Sequence, residues 1–388
     1  MKLMIVSHAC VTPINQNFYA QVSELTGWDV SLVIPAVWST EYKANVEPTR
    51  WEGFAGPIHM IPVWKPGNIP LHVYKNTMVG VLRKEAPNAI YVHHEPYGLA
   101  TFQIYMANRL VGNCPTGFYA AQNIVKQYPP PFRWFEHYVF SQSSFAFPVA
   151  HGALDVLRQK GYRGEAEVLP LPLDPGIYQR RPEWAASKRS ELGLGTDEFV
   201  IGYLGRLVEE KGLCSLLGAA AILKDRRWTC VLVGSGPLES RLRALAAELG
   251  IADRLIFAGY VPHEEAPGWF SLFDLFVLPS ETRPNWKEQF GRVIVEANAC
   301  RTAVLGTQSG EIGNVLRTTG GGVTVPEANK DALAEAILFL MENPSQRRKL
   351  AETGEQSALR EYGQLHLTRR FAATIESAMS RTAKKEKS

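Results

Sequence analysis

Short apolar runs rich in β-branched residues alternate with longer segments of helical periodicity along the whole chain. This alternation is typical of parallel β-sheets that are covered by helices on both faces. In the first half of the chain it predicts strands at residues 3–6, 30–34, 59–63, 90–93, 117–121, 146–150 and 167–170. In the second half it predicts strands at residues 200–204, 230–233, 255–258, 275–278, 303–306 and 322–325. The predicted fold class is therefore α/β, with two doubly wound parallel sheets.

A proline-rich segment, LPLPLDPGIYQRRP at residues 169–182, separates the two groups of strands. Its prolines and glycine break both helix and strand, as expected of a linker. We therefore expect two domains, residues 1–172 and residues 183–366, and a C-terminal helix within about residues 367–388 that packs back on the first domain. In open parallel sheets, ligands bind beyond the carboxyl ends of the strands, so the site is expected in a central cleft that the two sheets face.

The composition is that of a globular protein, with 46% hydrophobic and 20% charged residues. The 41 basic and 38 acidic residues leave a formal net charge of +3, which indicates no nucleic-acid partner. Five scattered cysteines without a C-x-x-C pair favour neither a disulfide framework nor a zinc site. We expect a cytoplasmic protein, and composition leaves its oligomeric state open.

The prediction about membrane contact depends on one aromatic-rich segment. No apolar run approaches the roughly 18 residues that span a bilayer, and the opening MKLMIVS is expected to be a strand and not a signal peptide. The segment YPPPFRWFEHYVFSQSSFAF, residues 128–147, is predicted to be core, with peripheral contact at the inner membrane face as the alternative.

Two glutamates, Glu288 and Glu296, stand in the segment WKEQFGRVIVEANAC. On one continuous helix they would lie about 12 Å apart along the axis, beyond the roughly 5 to 9.5 Å between paired glycosidase carboxylates. Gly291 instead predicts a loop over residues 287–291 and a helix over residues 292–300. A phosphate would fit at the helix N-terminus between the two carboxylates. Taken alone, the segment favours two solvated glutamates on an amphipathic helix, so the rest of the chain has to decide between the two interpretations.

Glycine-rich polar loops follow five strands of the second half. GYLGRLVEEKG brings the cations Arg206 and Lys211 to the end of its strand, where they could grip a diphosphate. VLVGSGPLESRL has Glu239 where a dinucleotide-binding fingerprint has its third glycine, so a nicotinamide or flavin enzyme is not favoured. The remaining loops are AGYVPHEEA, LPSETRPNWKEQFG and GTQSGEIGNV. Together they predict a ligand site at one sheet edge.

The set GRLVEEKG, VGSGP, AGYVP, LPS, E-x7-E and SGEI, in this order, resembles the retaining nucleotide-sugar glycosyltransferases of family GT4. The resemblance covers roughly residues 200–326, and in the first half it rests on AIYVHHEP and the strand order. It implies the GT-B fold, which consists of two Rossmann-like domains, with the acceptor bound by the first domain and the donor by the second.

The resemblance also implies roles for individual residues of the second domain. Arg206 and Lys211 would bind the donor diphosphate, Glu296 would accept hydrogen bonds from the ribose hydroxyls, and Glu288 would face the transferred sugar. The catalytic residues would be Glu288, Arg206 and Lys211. The other donor-binding residues would be Gly205, Gly234, Gly236, Tyr260, Val261, Gln289, Phe290, Gly291, Arg292 and Val293.

Several segments of this chain depart from the family pattern. Many members carry a Gly-Gly pair after the first strand, whereas this chain has HACVTPINQNF, so we expect Thr12 and Asn15 to serve the acceptor. Where many members have a histidine, this chain reads YAAQNIVKQ, and Gln122 and Asn123 are expected there as hydrogen-bonding groups and not as bases. The segment ETRPNW lengthens the loop before Glu288.

The consecutive residues His93, His94 and Glu95 are candidates to line the acceptor site or the cleft. Neighbours on a strand point to opposite faces, so at most one of the two histidines could join Glu95 as a metal ligand, and no third ligand is evident. We therefore expect no metal site and no cofactor.

The chain is thus expected to be a hexosyltransferase that uses a nucleoside diphosphate sugar and a hydroxyl acceptor, with retention at the anomeric carbon. Synthesis of a glycan, a polysaccharide or a glycolipid is the expected setting. The alternatives are a sugar-nucleotide epimerase of the same fold and a non-catalytic binding protein. The sequence does not identify the donor base, the sugar, the acceptor or the linkage.

Overall fold

The computed structural model describes residues 1–39, 45–75 and 78–385. The chain divides into two compact units. Unit 1 consists of Met1–Pro170 together with Gln364–Ser388, and unit 2 consists of Leu171–Gly363.

Unit 1 is built on a sheet of seven parallel strands in the order β3-β2-β1-β6-β7-β8-β9, accompanied by a separate antiparallel pair, β4 with β5. Its strands are β1 (Lys2–Val6), β2 (Asp29–Pro35), β3 (Ile58–Ile61), β4 (Val63–Trp64), β5 (Val73–Tyr74), β6 (Ala89–Val92), β7 (Thr116–Ala120), β8 (Phe145–Pro148) and β9 (Glu165–Ala166). Its first helices are α1 (Asn17–Thr26), α2 (Met78–Glu85), α3 (Leu99–Val111), α4 (Phe132–Gln142) and α5 (His151–Gln159).

Successive residues of the central strand β1 enter two different hydrophobic clusters, one on each face of the sheet. Met4 and Val6 pack into the first cluster, and Leu3 and Ile5 pack into the second. Side chains alternate across a strand, so the continuous apolar run from Leu3 to Val6 requires cover on both faces. Helices on both faces supply that cover.

Unit 2 contains six parallel strands in the order β12-β11-β10-β13-β14-β15. The strands are β10 (Phe199–Leu204), β11 (Trp228–Val233), β12 (Leu255–Gly259), β13 (Leu275–Leu278), β14 (Val304–Thr307) and β15 (Gly322–Val325). The helices are α6 (Pro182–Glu191), α7 (Leu213–Ile222), α8 (Glu239–Glu248), α9 (Ala266–Leu272), α10 (Arg292–Ala299), α11 (Ile312–Thr319), α12 (Lys330–Glu342) and α13 (Pro344–Tyr362).

The last helix, α14 (Gln364–Lys385), belongs to unit 1 and packs against α1. Its apolar face contributes Phe371 and Ile375 to the second hydrophobic cluster. Arg370 forms an ion pair with Glu167, and its guanidinium also donates to the carbonyl of Val168 at 2.7 Å. Apolar packing and charge pairing therefore both hold α14 on unit 1.

Most predicted strands are confirmed to within one or two residues, but two predictions in unit 1 are wrong in detail. Residues 59–63 form two strands because Pro62 separates β3 from β4 and lacks an N–H for a ladder. The strand predicted at residues 167–170 lies at Glu165–Ala166. The amides of Glu167 and Leu169 still donate to β8 carbonyls, but Pro170 has no amide hydrogen with which to extend the pairing.

The aromatic segment 128–147 is only partly core. Phe145 and Phe147 are buried in β8, as predicted, whereas Trp134 on α4 is 65% exposed. None of the helices that the structure describes is long and apolar enough to cross a membrane.

Candidate active site

Two glycine-containing loops pack backbone against backbone at the carboxyl edge of the unit 2 sheet. The amide of Leu207, after β10, donates to the carbonyl of Ser235, after β11, at 3.0 Å. Gly234 has a φ of +133°, and a Cβ there would lie 1.9 Å from the carbonyl oxygen of Gly205. Only glycine fits this close approach, so the G-x-G of this chain serves loop packing and not a dinucleotide fingerprint.

Lys211 and Glu288 form the charged centre of this edge. Lys211 Nζ donates to Glu288 Oε2 at 2.6 Å, and the hydroxyl of Ser280 donates to the same oxygen at 3.0 Å. Glu288 is only 8% exposed. A nearly buried carboxylate requires charged or hydrogen-bonding partners, and these two residues supply them.

The inserted segment ETRPNW, residues 281–286, places the Trp286 ring beside the Lys211–Glu288 pair. Arg283 and Trp286 exchange backbone hydrogen bonds of 2.7 and 3.2 Å, which close the loop into a tight turn. The Trp286 ring then lies 5.0 Å from Lys211 Nζ, within cation–π range. The inserted residues therefore place an aromatic side chain against Lys211.

The backbone of Glu288 is held by the loop that follows β14. A Cβ on Gly310, whose φ is +52°, would lie 1.9 Å from the carbonyl oxygen of Glu288. The amide of Glu311 donates to that same oxygen at 3.1 Å. The glycine of SGEI therefore allows one loop to fix the position of another.

Helix α10 begins where the sequence predicts. Gly291 is its N-cap residue with a φ of +75°, and glycine has no side chain that could make a capping hydrogen bond. Phe290 is buried, with its ring 5.7 Å from that of Tyr362. Glu288 therefore precedes the helix and Glu296 lies inside it, with backbone N–H groups of the first turn between them.

Glu296 is held by Arg292, a predicted donor-binding residue, and by Tyr178, to which the sequence did not point. It is 3% exposed, and its Oε1 lies 2.7 Å from Arg292 Nε. The hydroxyl of Tyr178 hydrogen-bonds to the Glu296 carboxylate and lies 2.6 Å from His263 Nε2. One consistent arrangement has His263 donating to the Tyr178 oxygen while the Tyr178 hydroxyl donates to Glu296.

Burial shifts the pKa values of both Tyr178 and His263. It raises the pKa of Tyr178 well above the ordinary value, and the Glu296 charge raises it further. Burial also lowers the pKa of His263, an effect that Glu296 opposes. His263 lies in the AGYVPHEEA loop already placed at this edge, but Tyr178 lies in the linker, where no motif marked it.

The other residues predicted for the donor differ in exposure. Arg206 is half-buried, its carbonyl accepts from the Tyr203 hydroxyl at 2.7 Å, and its guanidinium lies 3.7 Å from Glu210. Tyr260 is 61% exposed and Gln289 is exposed, whereas Val261 and Val293 are half-buried. A Cβ on Gly236 would lie 2.3 Å from the Leu207 carbonyl, which gives this glycine a packing role.

The residues predicted near the acceptor are distributed over two loops of unit 1. Thr12 is exposed, and the Asn15 side chain donates to the carbonyl of Ala9 at 2.8 Å. Gln122 is half-buried and accepts from the amide of Ile124 at 3.1 Å, whereas Asn123 is buried. The Gln122 and Asn123 loop follows β7, and the Thr12 and Asn15 loop follows β1.

His93, His94 and Glu95 point to three different partners. His93 Nδ1 lies 2.9 Å from the hydroxyl of Tyr19, His94 Nε2 accepts from the backbone amide of His8 at 3.0 Å, and Glu95 Oε1 accepts from the amide of Ala121 at 2.8 Å. This agrees with the expectation that the three do not form one ligand set.

Burial raises the pKa of Glu95 to about 7, an effect that hydrogen bonds from Ala121 and Gln122 oppose. Because the folded-state pKa lies above the ordinary value of 4.5, the stabilising contribution of Glu95 is complete below about pH 4.5 and is lost as the pH rises through about 7. In Glu95→Gln, the loss of unfolding free energy between low and high pH should therefore be smaller than in wild type by about 1–3 kcal/mol.

The measurement is the thermal unfolding midpoint of wild-type protein and Glu95→Gln at pH 5.5 and pH 8. We expect the midpoint of the variant to fall less over this interval. The contributions of titratable groups that the two proteins share cancel when their pH dependences are subtracted. Parallel pH dependences would mean that Glu95 is ionised throughout.

Comparison with known proteins shows similarity to glycosyltransferases. The model for "Glycosyl transferases group 1" matches residues 185–357, which lie within unit 2. The alpha-D-kanosaminyltransferase of Streptomyces kanamyceticus is 27% identical over 323 residues, covering 79% of this chain and 80% of that protein. The GDP-mannose-dependent alpha-(1-6)-phosphatidylinositol monomannoside mannosyltransferase of Mycolicibacterium smegmatis is 31% identical over 197 residues, covering about half of each chain, 50% and 51%.

The fold has solved counterparts. The structure of HepE from Anabaena in complex with UDP and glucose superposes with a TM-score of 0.75 at 18% identity, covering 97% of this chain and 100% of that one. At this identity the likeness shows the fold, which is GT-B. Residues 185–357 of the chain are therefore similar to the glycosyl transferases group 1 family.

Proposed function

We propose that this glycosyltransferase transfers a hexose from a nucleoside diphosphate sugar to a hydroxyl acceptor with retention at the anomeric carbon. The observation that carries the proposal is the Lys211–Glu288 pair beside the N-terminus of α10. It combines a cation, a carboxylate acceptor and oriented backbone N–H groups at the sheet edge where ligands of such folds bind.

In this proposal the donor lies along unit 2, with its diphosphate at the α10 N-terminus. Lys211, Arg206 and the N–H groups after Gly291 would stabilise the charge that builds on the departing diphosphate. Glu296 would accept from the ribose hydroxyls, because an ionised carboxylate offers only acceptors. Glu288 would then face the sugar at the opposite end of the ligand.

The transfer step can be written with all bonds and protons accounted for and without a protein base. The bond from the anomeric carbon to the phosphate oxygen breaks, a bond to the acceptor oxygen forms on the same face, and the acceptor proton passes to the departing phosphate. The positive charge that the step needs comes from Lys211, Arg206 and the helix terminus, so we propose that donor cleavage requires no metal ion. The resemblance to GT4 supports retention.

Unit 1 is proposed to bind the acceptor, through Thr12, Asn15 and the Gln122–Asn123 loop. The named relatives are a kanosaminyltransferase and a GDP-mannose-dependent mannosyltransferase of a phosphatidylinositol monomannoside, as their names state. The epimerase and the non-catalytic alternatives are therefore not favoured. We propose an acceptor of a glycan, glycolipid or small polyol type and a cytoplasmic setting.

The proposal predicts that Arg206→Ala combined with Lys211→Ala weakens the full donor and the bare nucleoside diphosphate together. Each cation makes charge-assisted bonds to the diphosphate and none to the sugar, so a loss of at least about tenfold is expected. Isothermal titration calorimetry measures both affinities, after a thermal-shift screen against UDP, GDP, ADP and TDP sugars has selected the nucleotide.

Arg226→Ala is the matched control, because this surface arginine pairs with Glu342 with half of each side chain exposed. It should leave both affinities unchanged. If the double variant binds the diphosphate as tightly as wild type, Arg206 and Lys211 do not form the diphosphate site.

A further inference from the structure

Three histidines from separate parts of the chain converge in unit 1, outside the donor site. His8 follows β1, His94 follows β6, and His72 immediately precedes β5. One ligand nitrogen of each lies within 4.8 Å of the other two. His72 and His94 are fully buried. The proposed transfer reaction uses none of the three rings.

Each of the three rings has one buried nitrogen without a hydrogen-bond partner among the described residues. These nitrogens are His8 Nδ1, His72 Nε2 and His94 Nδ1. A buried polar atom without a partner costs free energy, and three such atoms in one cluster need an explanation. A bound cation would satisfy all three at once.

His72 already has the arrangement of a metal ligand. Its Nδ1 lies 3.0 Å from the carbonyl oxygen of Ile69 and 3.2 Å from that of Asn68, so Nδ1 carries the proton. Its Nε2 therefore presents a lone pair to the cluster. Metal-binding histidines characteristically donate their second nitrogen to a carbonyl in this way, which fixes both tautomer and ring orientation.

His94 is the ligand that must rearrange. Its Nε2 accepts from the His8 amide, so its Nδ1 carries the proton in this state. Binding through Nδ1 would move that proton to Nε2 and exchange one backbone hydrogen bond for a metal bond. Tetrahedral Zn²⁺ with bonds of about 2.0–2.1 Å places its ligand nitrogens about 3.4 Å apart, so the rings would also draw together.

The surroundings of the cluster hold two of its three rings in place. The Trp38 ring packs at 4.8 Å from that of His8 and 4.9 Å from that of His72, which limits the mobility of both rings. His8, Trp38 and Asn68 also line a cavity of about 790 Å³, from which a water could supply a fourth ligand.

We propose that His8, His72 and His94 form a three-histidine site for a divalent transition ion, with Zn²⁺ as the intended occupant. An all-imidazole set suits Zn²⁺ better than Mg²⁺ or Ca²⁺, which prefer oxygen ligands. The ion would join the loops that follow β1 and β6 to the segment before β5. This departs from the expectation from sequence that no metal is bound.

The test is made on the untagged full-length protein without donor, so that its result is independent of the proposed transferase reaction. The protein is stripped with chelator, loaded with ZnCl₂ and desalted, and its zinc content is measured by mass spectrometry. We expect one equivalent to be retained. X-ray absorption of the loaded protein should show imidazole nitrogens at about 2.0–2.1 Å.

His72→Gln and His8→Gln should each reduce retained zinc at least about tenfold, whereas His59→Gln should keep one equivalent. His59 is a matched control because it is a unit 1 histidine outside the cluster, paired with Glu85 at 2.9 Å. Failure of wild type to retain zinc would overturn the proposal, as would retention unchanged by both cluster variants. If a variant unfolds, the absorption spectrum of wild type decides, because fewer than three imidazole ligands would exclude the site.

Discussion

Glu288→Gln is expected to lower turnover with the complete donor about 100-fold while leaving affinity for the bare nucleoside diphosphate within about threefold of wild type. If Glu288 faces the transferred sugar, its loss affects the orientation of the reacting carbon and not the affinity for the diphosphate. Steady-state kinetics measures the first quantity and calorimetry the second.

The structure gives a reason to use glutamine and not alanine. Glu288 is nearly buried and receives bonds from Lys211 and Ser280. Alanine would leave the lysine without this carboxylate, whereas glutamine keeps an oxygen that can accept from both. Loss of the ion pair in Glu288→Gln also makes Lys211 more available to an anionic ligand, so any change in diphosphate affinity should be an increase.

Glu191→Gln is the control for Glu288→Gln, since Glu191 is an exposed residue of α6 that pairs with Lys188 at 2.7 Å. It should leave both turnover and affinity at wild-type values. A wild-type transfer rate in Glu288→Gln would remove Glu288 from the reacting end of the donor, provided that circular dichroism shows all three proteins folded.

Glu296→Ala is expected to weaken the bare nucleoside diphosphate by about 1.5–3 kcal/mol, which is roughly a 10- to 150-fold loss. The carboxylate would accept from the ribose hydroxyls, and its removal leaves those hydroxyls without a partner. Calorimetry with the matching 2′-deoxy nucleoside diphosphate separates this role from a structural one. Wild type should bind the deoxy ligand more weakly, whereas Glu296→Ala should discriminate little between the two.

Tyr178→Phe is the matched structural control for Glu296. It removes only the hydroxyl that connects Glu296 to His263, and Arg292 still contacts the carboxylate. We expect a smaller loss of diphosphate affinity, with discrimination against the deoxy ligand retained. Equal loss for both ligands in Glu296→Ala would instead show that Glu296 acts through the packing of α10.

The sequence by itself determined the two parallel sheets and the start of α10. Buried parallel strands need continuous apolar runs, and these are local signals that can be read without tertiary structure. Gly291 marked the boundary between Glu288 and Glu296 because a left-handed residue at the N-cap is best supplied by glycine. The motif set, through its resemblance to a family, also indicated the loops that meet at the carboxyl edge of the unit 2 sheet.

Only the tertiary structure decided which side chains meet. Lys211 and Glu288 are 77 residues apart, Tyr178 and His263 are 85 apart, and His8 and His94 are 86 apart. Such contacts depend on which strands are neighbours in a sheet and on how loops from separate strands pack at its edge. Hydrophobic periodicity has a range of a few residues and carries no information about these pairs. The three histidines therefore appeared in sequence as unrelated residues, and only the fold of unit 1 assembled them into one cluster.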